Sequence, residues 1–176
     1  MFRKHLQVAS DLQRAVVVHC VGVWGRLYEE LQAAALTFPH IPAIILHSAN
    51  SMNPELLPLF ARNHPRVFFS FTAVGSAALA DEKQERRRQK AVKLVRAVPR
   101  RQLLLETDSP DQLPAVLRAA FASDSGGVTS PYAGLPYNEP AVIRHTCADI
   151  AAVLGVPVAE LAELTTNNAC RAFGMP

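Results

Sequence analysis

Four short runs of apolar residues recur along the chain, and their first halves contain no polar alternation. The runs cover residues 15–20, 43–47, 67–71 and 102–108, and Val, Ile, Leu and Phe dominate them. Strands of a parallel sheet are typically uninterrupted in this way, because helices cover both of their faces. The runs therefore predict four parallel strands.

The segments between the runs have helical character. They span residues 25–38, 53–63 and 81–98, and Leu6 and Ala9 belong to a further helix predicted before the first run. Helices that alternate with buried strands are the pattern of βα units, which join parallel strands. The predicted fold class is therefore α/β, with about four parallel strands and flanking helices.

The last third of the chain is less regular. Residues 111–122 suggest a helix, and residues 123–140 are rich in Gly, Ser and Pro, which predicts a loop. A loop of this length inside a compact domain is usually functional or mobile. Two or three helices are predicted to close the chain, in the segments 141–155, 157–165 and 166–174.

Polar residues stand at or near the carboxyl ends of all four predicted strands. They are His19, His47, Ser70 and Asp108. The carboxyl ends of parallel strands lie on one face of an α/β fold, where ligands bind, so these distant residues are expected to converge. Two imidazoles and a carboxylate are a common ligand set for a catalytic divalent metal ion.

Each of these residues also has a structural interpretation. A single histidine at a strand end is more often hydrogen-bonded within the fold than a metal ligand. A strand-end aspartate such as Asp108 often caps the turn that follows it. Only their repeated position favours the metal-site interpretation.

Composition narrows the classes of protein. The chain has 176 residues, of which 49% are hydrophobic and 19% charged, with a net charge of +3 and three cysteines. These values predict one globular domain, permit an anionic partner, and argue against a disulfide framework or a membrane span. A reducing compartment, the cytoplasm, is the expected location. The basic first ten residues leave mitochondrial and nuclear locations open.

Six stretches occur in the order expected of the TatD family of metal-dependent deoxyribonucleases. They are VVVHC, IILHS, FFSFTAVG, LLLETDSP, YNEP and LAELTTNNACRAFG. The chain resembles this family from about Leu6 to Phe173. The resemblance implies a TIM-type (β/α) barrel of the metal-dependent hydrolase group. It also implies a divalent metal cofactor, Mg, Mn or Zn, and hydrolysis of DNA phosphodiester bonds, typically as an exonuclease.

The resemblance also implies roles for particular residues. His19 and His47 match metal-binding histidines of the family, and Asp108 matches the aspartate that binds metal or positions the attacking water. Asn138 and Glu139 match an element that shapes the rim of the site and contacts substrate. Glu106 shares a face with Asp108 by strand alternation, but a structural role is predicted for it.

Two further residues are predicted to contact substrate. Trp24 follows the first strand, where βα loops line the active site, and Ser70 lies near the end of the third strand. A packing role for Trp24 is an equal alternative. Cys20 is expected to face away from His19 and to have no catalytic role.

The chain departs from the family pattern in two ways. The sequence contains no His-x-His and lacks the glutamate-bearing strand that bridges two metals in the family. Residues 1–176 are therefore expected to form one domain, truncated at its amino terminus, that corresponds to a partial barrel. The exposed barrel interior of such a domain could be covered by a homodimer.

Three functions stay open at this stage. The first is a deoxyribonuclease, for which the basic run 81–90 offers a contact with the nucleic acid backbone or, alternatively, a solvated helix face. The second is a non-catalytic remnant that acts as a binding protein, since several metal ligands are missing. The third is a related hydrolase with a non-nucleic substrate, because one fold supports many chemistries.

Overall fold

The computed structural model describes residues 1–74, 82–114, 117 and 137–175. Ten regular elements lie in these ranges. The helices are α1 (Phe2–Asp11), α2 (Trp24–Thr37), α3 (Leu57–Asn63), α4 (Glu82–Ala97), α5 (Ile143–Leu154) and α6 (Val158–Phe173). The strands are β1 (Val16–His19), β2 (Ile44–His47), β3 (Val67–Phe71) and β4 (Leu103–Leu105).

The four strands form one parallel sheet in the order β1-β2-β3-β4. Each strand pairs with the next strand along the chain, and a helix follows each of the first three strands. This order without reversal is the arrangement of consecutive strands in a (β/α) barrel. The predicted α/β fold with four parallel strands is confirmed.

The fourth strand is shorter than its apolar run. The Glu106 amide donates to the Phe71 carbonyl at 2.9 Å, which continues the ladder by one bond. Asp108 then adopts a left-handed conformation with φ of 59°, so the chain leaves the sheet before it. Asp108 thus lies on a turn at the edge of the sheet, whereas Glu106 is still bonded to β3.

The two faces of the sheet are covered differently. Leu46, Phe69 and Leu103 are completely buried in the main core, between the sheet and the helices that follow the strands. On the opposite face, Phe68 packs in a smaller cluster with Ala172 of α6. This second face opens toward β1, where Val17 is 59% exposed.

The carboxyl-terminal segment forms two helices, the lower of the two predicted numbers. α5 ends at Gly155 and α6 ends at Gly174, and both glycines have positive φ values of 67° and 64°, as helix-capping glycines do. The two segments predicted over 157–165 and 166–174 are one continuous helix. The reason is that Thr165 bonds back to the Leu161 carbonyl at 2.9 Å within the helix, so the polar stretch does not interrupt it.

Two predictions concern residues outside the described part of the chain. The helix predicted over 111–122 and the loop predicted over 123–140 fall there, apart from residues 111–114, 117 and 137–140. Within the described part, no helix combines the length and the apolar character needed to cross a membrane.

Candidate functional site

The imidazole of His47 lies between two carboxylates at the carboxyl ends of β2 and β4. Its Nδ1 is 2.8 Å from Oε2 of Glu106, and its Nε2 is 3.2 Å from Oδ1 of Asp108. The three side chains are 22%, 15% and 26% exposed. They therefore form a half-buried cluster that solvent and a ligand can reach.

The chemistry of this arrangement calls for a cation. An ionised carboxylate only accepts hydrogen bonds, so Nδ1 of His47 carries a proton that it donates to Glu106. In the neutral ring, Nε2 is then a lone pair that faces the Asp108 carboxylate, and two acceptors repel each other. Either a second ring proton or a metal ion that both atoms bind relieves this repulsion.

Glu106 is held in place by more than the histidine. Its Oε1 accepts the backbone N–H of Ser48 at 2.8 Å. Ser48 has a left-handed φ of 53°, and this turn directly after β2 aims its amide at the carboxylate. Both oxygens of Glu106 are thus used to orient His47 and the residue that follows it.

Glu106 was predicted to be structural, and the structure places it in contact with the site. Its carboxylate contacts the ring of His47, which is a predicted metal ligand. The signal was present in the sequence, because Glu106 and Asp108 share a face by alternation. A carboxylate behind a histidine is a recurrent way to fix the tautomer of a metal ligand.

His19 joins this cluster from the neighbouring strand. It is paired in register with His47, and the centroids of the two rings are 5.3 Å apart. Its side chain is exposed at the open edge of the sheet. The three residues predicted as metal ligands therefore lie together at one end of the sheet.

The donor set fits a divalent ion in chemical type and, for one pair, in spacing. Two donors that each lie about 2.0–2.2 Å from one ion are roughly 3.0–3.4 Å apart. The separation of 3.2 Å between Nε2 of His47 and Oδ1 of Asp108 agrees with this value. In the described ranges, no group of three or more His, Cys, Asp or Glu side chains is arranged to hold a metal ion.

Asn138 and Glu139 lie beside the turn that carries Asp108. The side-chain amide of Asn138 donates to the carbonyls of Thr107 and Asp111, each at 2.5 Å, and its side chain is buried. Asn138 thus holds both ends of the turn around Asp108. Glu139 is exposed.

Ser70 and Trp24 lie away from the cleft surface. Ser70 is 4% exposed within β3, and Trp24 is 5% exposed within the main core. Trp24 thus packs, which was the alternative interpretation of this residue. The substrate contacts predicted for both residues gain no support from these positions.

Cys20 faces the opposite side of β1 from His19, as predicted. It lies in the main core, and burial raises the pKa of its thiol. A raised pKa keeps the thiol protonated, so Cys20 is a poor nucleophile.

A cleft of about 630 Å³ opens next to His19. Its walls come from the segments that follow β1, β2 and β3, from the middle of α4 and from Gln112. Three basic residues of α4 line it: Arg87, Arg88 and Lys90. Of the predicted ligands only His19 lines this cleft, and Ser48 and Gln112, which bond to Glu106 and Asp108, connect the cleft to the cluster.

The fold and the site define a class of protein. Consecutive parallel βα units with polar side chains at the carboxyl ends of the strands are the architecture of (β/α)-barrel proteins. Within this class, the chain belongs to the family described as TatD related DNase, whose model matches residues 1–174. Membership in this family implies a divalent metal cofactor.

Two curated relatives show the same family relationship. The chain is 29% identical to a 3'-5' ssDNA/RNA exonuclease TatD of Erwinia tasmaniensis, over 99% of this chain and 58% of the relative. It is 25% identical to the 3'-5' RNA nuclease TATDN2 of Homo sapiens, over 99% of this chain and 20% of that protein. The chain therefore spans little more than half the length of the bacterial relative.

Solved structures share the fold. The TatD homolog YJJV from Escherichia coli matches with a TM-score of 0.70 at 18% identity, over 99% of this chain and 55% of that chain. An uncharacterized amidohydrolase from Saccharomyces cerevisiae matches with a TM-score of 0.70 at 15% identity, over 98% and 58%. At these identities the comparison describes the fold alone.

Proposed function

We propose that this chain carries the site of a divalent-metal-dependent hydrolase that cleaves phosphodiester bonds of nucleic acids. The observation that carries the proposal is the position of His47 between Glu106 and Asp108. This arrangement places a lone pair and a carboxylate oxygen where they favour a bound cation.

The residues of the cluster would have different roles in binding the ion. His47 and Asp108 would bind the ion together, and His19 would supply a third ligand from the neighbouring strand. Glu106 would hold the proton on Nδ1 of His47, so that Nε2 stays free to bind. A bound divalent ion acidifies a water molecule and offsets charge on a phosphoryl oxygen.

Asp108 is proposed to have a second role in positioning the attacking water. Its Oδ1 faces His47, while its other oxygen accepts a hydrogen bond from the side chain of Gln112. Asn138 holds the turn that presents Asp108. The exposed carboxylate of Glu139 would contribute to the rim that substrate meets.

The substrate proposed from the sequence is DNA, cleaved by an exonuclease. The relatives' names refer to 3'-5' cleavage of single-stranded DNA and RNA and to cleavage of RNA. We extend the proposal to single strands of both kinds, attacked from the 3' end. Single strands suit a site that lies in an open cleft at the lip of the sheet.

The test is the stepwise shortening of 5'-labelled single-stranded DNA and RNA, caused by release of nucleotides from the 3' end, with added Mg²⁺, Mn²⁺ or Zn²⁺. The wild-type chain is compared with Asp108→Asn, which keeps the shape of the side chain and removes its charge. Asp111→Asn is the matched control, because its exposed carboxylate lies three residues further along the same turn. Loss of release in Asp108→Asn alone is expected, and equal activity of all three proteins would refute the assignment.

The rival function is a binding protein without catalysis. It rests on the absence of a complete metal-binding group among the described residues. A folded protein that binds single-stranded nucleic acid but releases no nucleotide with any of the three metals would establish it. Release of product from small esters but not from nucleic acids would instead establish a hydrolase with a non-nucleic substrate.

A second copy of the chain is the proposed partner at the open edge of the sheet. Val17, Val21 and Val23 are 59%, 71% and 60% exposed near this edge, and apolar side chains that cluster on a surface favour association. Light scattering across a range of concentrations tests this. A dimer that dissociates in Val17→Lys is expected, and a monomer at every concentration would refute it.

The cytoplasm is the proposed location. The three cysteines are free, which suits a reducing compartment. Imaging of a fluorescent fusion tests this location against the nucleus and mitochondria.

A further inference from the structure

The basic residues of α4 fall into two groups, those that line the cleft next to His19 and those that do not. Residues 87, 90 and 91 lie at i, i+3 and i+4 spacing, so they share one side of the helix, and all three line the cleft next to His19. Lys93 is exposed and does not line this cleft. One side of the helix therefore faces the cleft, Lys93 lies outside it, and Leu94 and Val95 are buried in the main core.

Two of the three cleft cations are already engaged. Arg88 donates to both oxygens of Glu85 at 3.0 Å. Lys90 donates to the Ser51 carbonyl at 2.8 Å and ties α4 to the segment after β2. The ion pair offsets the charge of Arg88, whereas the bond to Ser51 uses one of the three ammonium donors of Lys90.

Arg87 is different. Its side chain is exposed, lines the cleft and has no hydrogen-bond or ion-pair partner among the described residues. A guanidinium in this setting presents donors in a planar fork, which matches the oxygens of a phosphate group.

Another part of the cleft wall is polar. Asn50 accepts the backbone N–H of Thr72 at 3.1 Å and donates to the Thr72 carbonyl at 3.4 Å. This pair joins the segment after β2 to the end of β3. The volume of about 630 Å³ falls within the range of roughly 300–1,000 Å³ that is usual for small-ligand sites.

We propose that this cleft is a subsite for a backbone phosphate of single-stranded nucleic acid, with Arg87 as its main contact. The inference rests on the proposed function, because the same strand would extend from the subsite to the His47 cluster. A phosphate contact carries no base specificity. The subsite would therefore hold DNA and RNA without regard to sequence.

The test measures binding without cleavage. Fluorescence anisotropy with labelled oligothymidylate and oligouridylate is recorded in EDTA at several salt concentrations, for the wild type, Arg87→Gln and Lys93→Gln. Each variant removes one positive charge from α4. Of the two replaced residues, Arg87 lines the cleft and Lys93 does not. Arg87→Gln is expected to weaken binding severalfold and to reduce the slope of log affinity against log salt by about 0.7.

The control is expected to match the wild type in both affinity and slope. Equal losses in the two variants would mean that net charge, not the cleft, attracts nucleic acid, and would overturn the proposal. Unchanged binding by Arg87→Gln would also overturn it. A loss with only one of the two oligonucleotides would restrict the subsite to that backbone. Because EDTA prevents metal-dependent cleavage, the result is independent of whether the chain is a nuclease.

Discussion

The two ends of the sheet use polar side chains in opposite ways. At the amino ends of the strands, Gln102 and Asn168 are each 1% exposed, and their amides donate to backbone carbonyls. At the carboxyl ends, His47, Glu106 and Asp108 are partly exposed and bond mainly to one another. The first group bonds to the backbone of the fold, and the second group is accessible to solvent at the opposite end of the sheet.

The amino end shows what a structural polar residue looks like. Gln102 donates to the carbonyls of His64 and Val67 at 3.2 and 2.8 Å. Asn168 donates to those of Arg100 and Leu103 at 2.7 and 2.8 Å. Each amide thus adds a donor to two backbone carbonyls, although the His64 and Arg100 carbonyls also accept the backbone N–H groups of Val67 and Leu103. Such residues cost stability when replaced and should leave the chemistry intact.

The largest effect on stability is predicted at the amino end. Asn168→Ala removes both side-chain bonds, and the Arg100 carbonyl keeps the backbone N–H of Leu103 as a donor. We expect the free energy of unfolding to fall by about 1–3 kcal/mol. Urea unfolding measures this, with Asn167→Ala as the control because Asn167 is exposed beside it. Equal loss in both variants would contradict the structural role of Asn168.

The next effect concerns metal affinity at the carboxyl end. In Glu106→Gln, the neutral amide cannot accept from both the His47 ring and the Ser48 N–H, so the ring loses its orientation. We expect Mn²⁺ to bind about 10–100-fold more weakly in a calorimetric titration, with little change in stability. Glu163→Gln, on the exposed face of α6, is the control. An unchanged Mn²⁺ affinity in Glu106→Gln would show that Glu106 has only a structural role.

The smallest predicted effect is a pH dependence of the free energy of unfolding, caused by His64 at the amino end of β3. Burial lowers the pKa of His64 below its ordinary value of 6.5. The unfolded chain therefore binds a proton near pH 6.5 that the folded chain binds only at lower pH, so this residue makes stability fall as pH drops below 6.5 and has no effect above it.

Urea unfolding at pH 7.5 and 5.5 checks the His64 prediction. His64→Gln is expected to lose less stability between these pH values than the wild type does. His40→Gln, which alters an exposed histidine, is expected to behave like the wild type. The same pH dependence in all three proteins would show that His64 is not the cause.

The strands of the sheet were predicted well, because a strand that is buried on both faces consists of consecutive apolar residues. The runs at 43–47 and 67–71 match β2 and β3 to within one residue. The run at 102–108 overestimated β4, since left-handed Asp108 ends the extended chain. Apolar content alone does not show where such a turn begins.

The site was predicted in part. The strand-end rule brought His19, His47 and Asp108 to one place, and the structure groups them there. The same rule did not show that Glu106 contacts the candidate site. Its partner, His47, lies 59 residues away along the chain, and this contact exists only in the folded protein. Nor did the rule show that Trp24 is buried, because a tryptophan after a strand suits packing and binding equally.

The most direct test is metal-dependent nucleotide release from single-stranded DNA by the wild type, His47→Asn and Asn168→Ala. It is performed at a temperature at which all three proteins are folded by circular dichroism. The account predicts that His47→Asn abolishes release while Asn168→Ala keeps it, because one residue belongs to the site and the other to the fold. Release that survives in His47→Asn, or that the folded wild type lacks with every metal, would contradict the account.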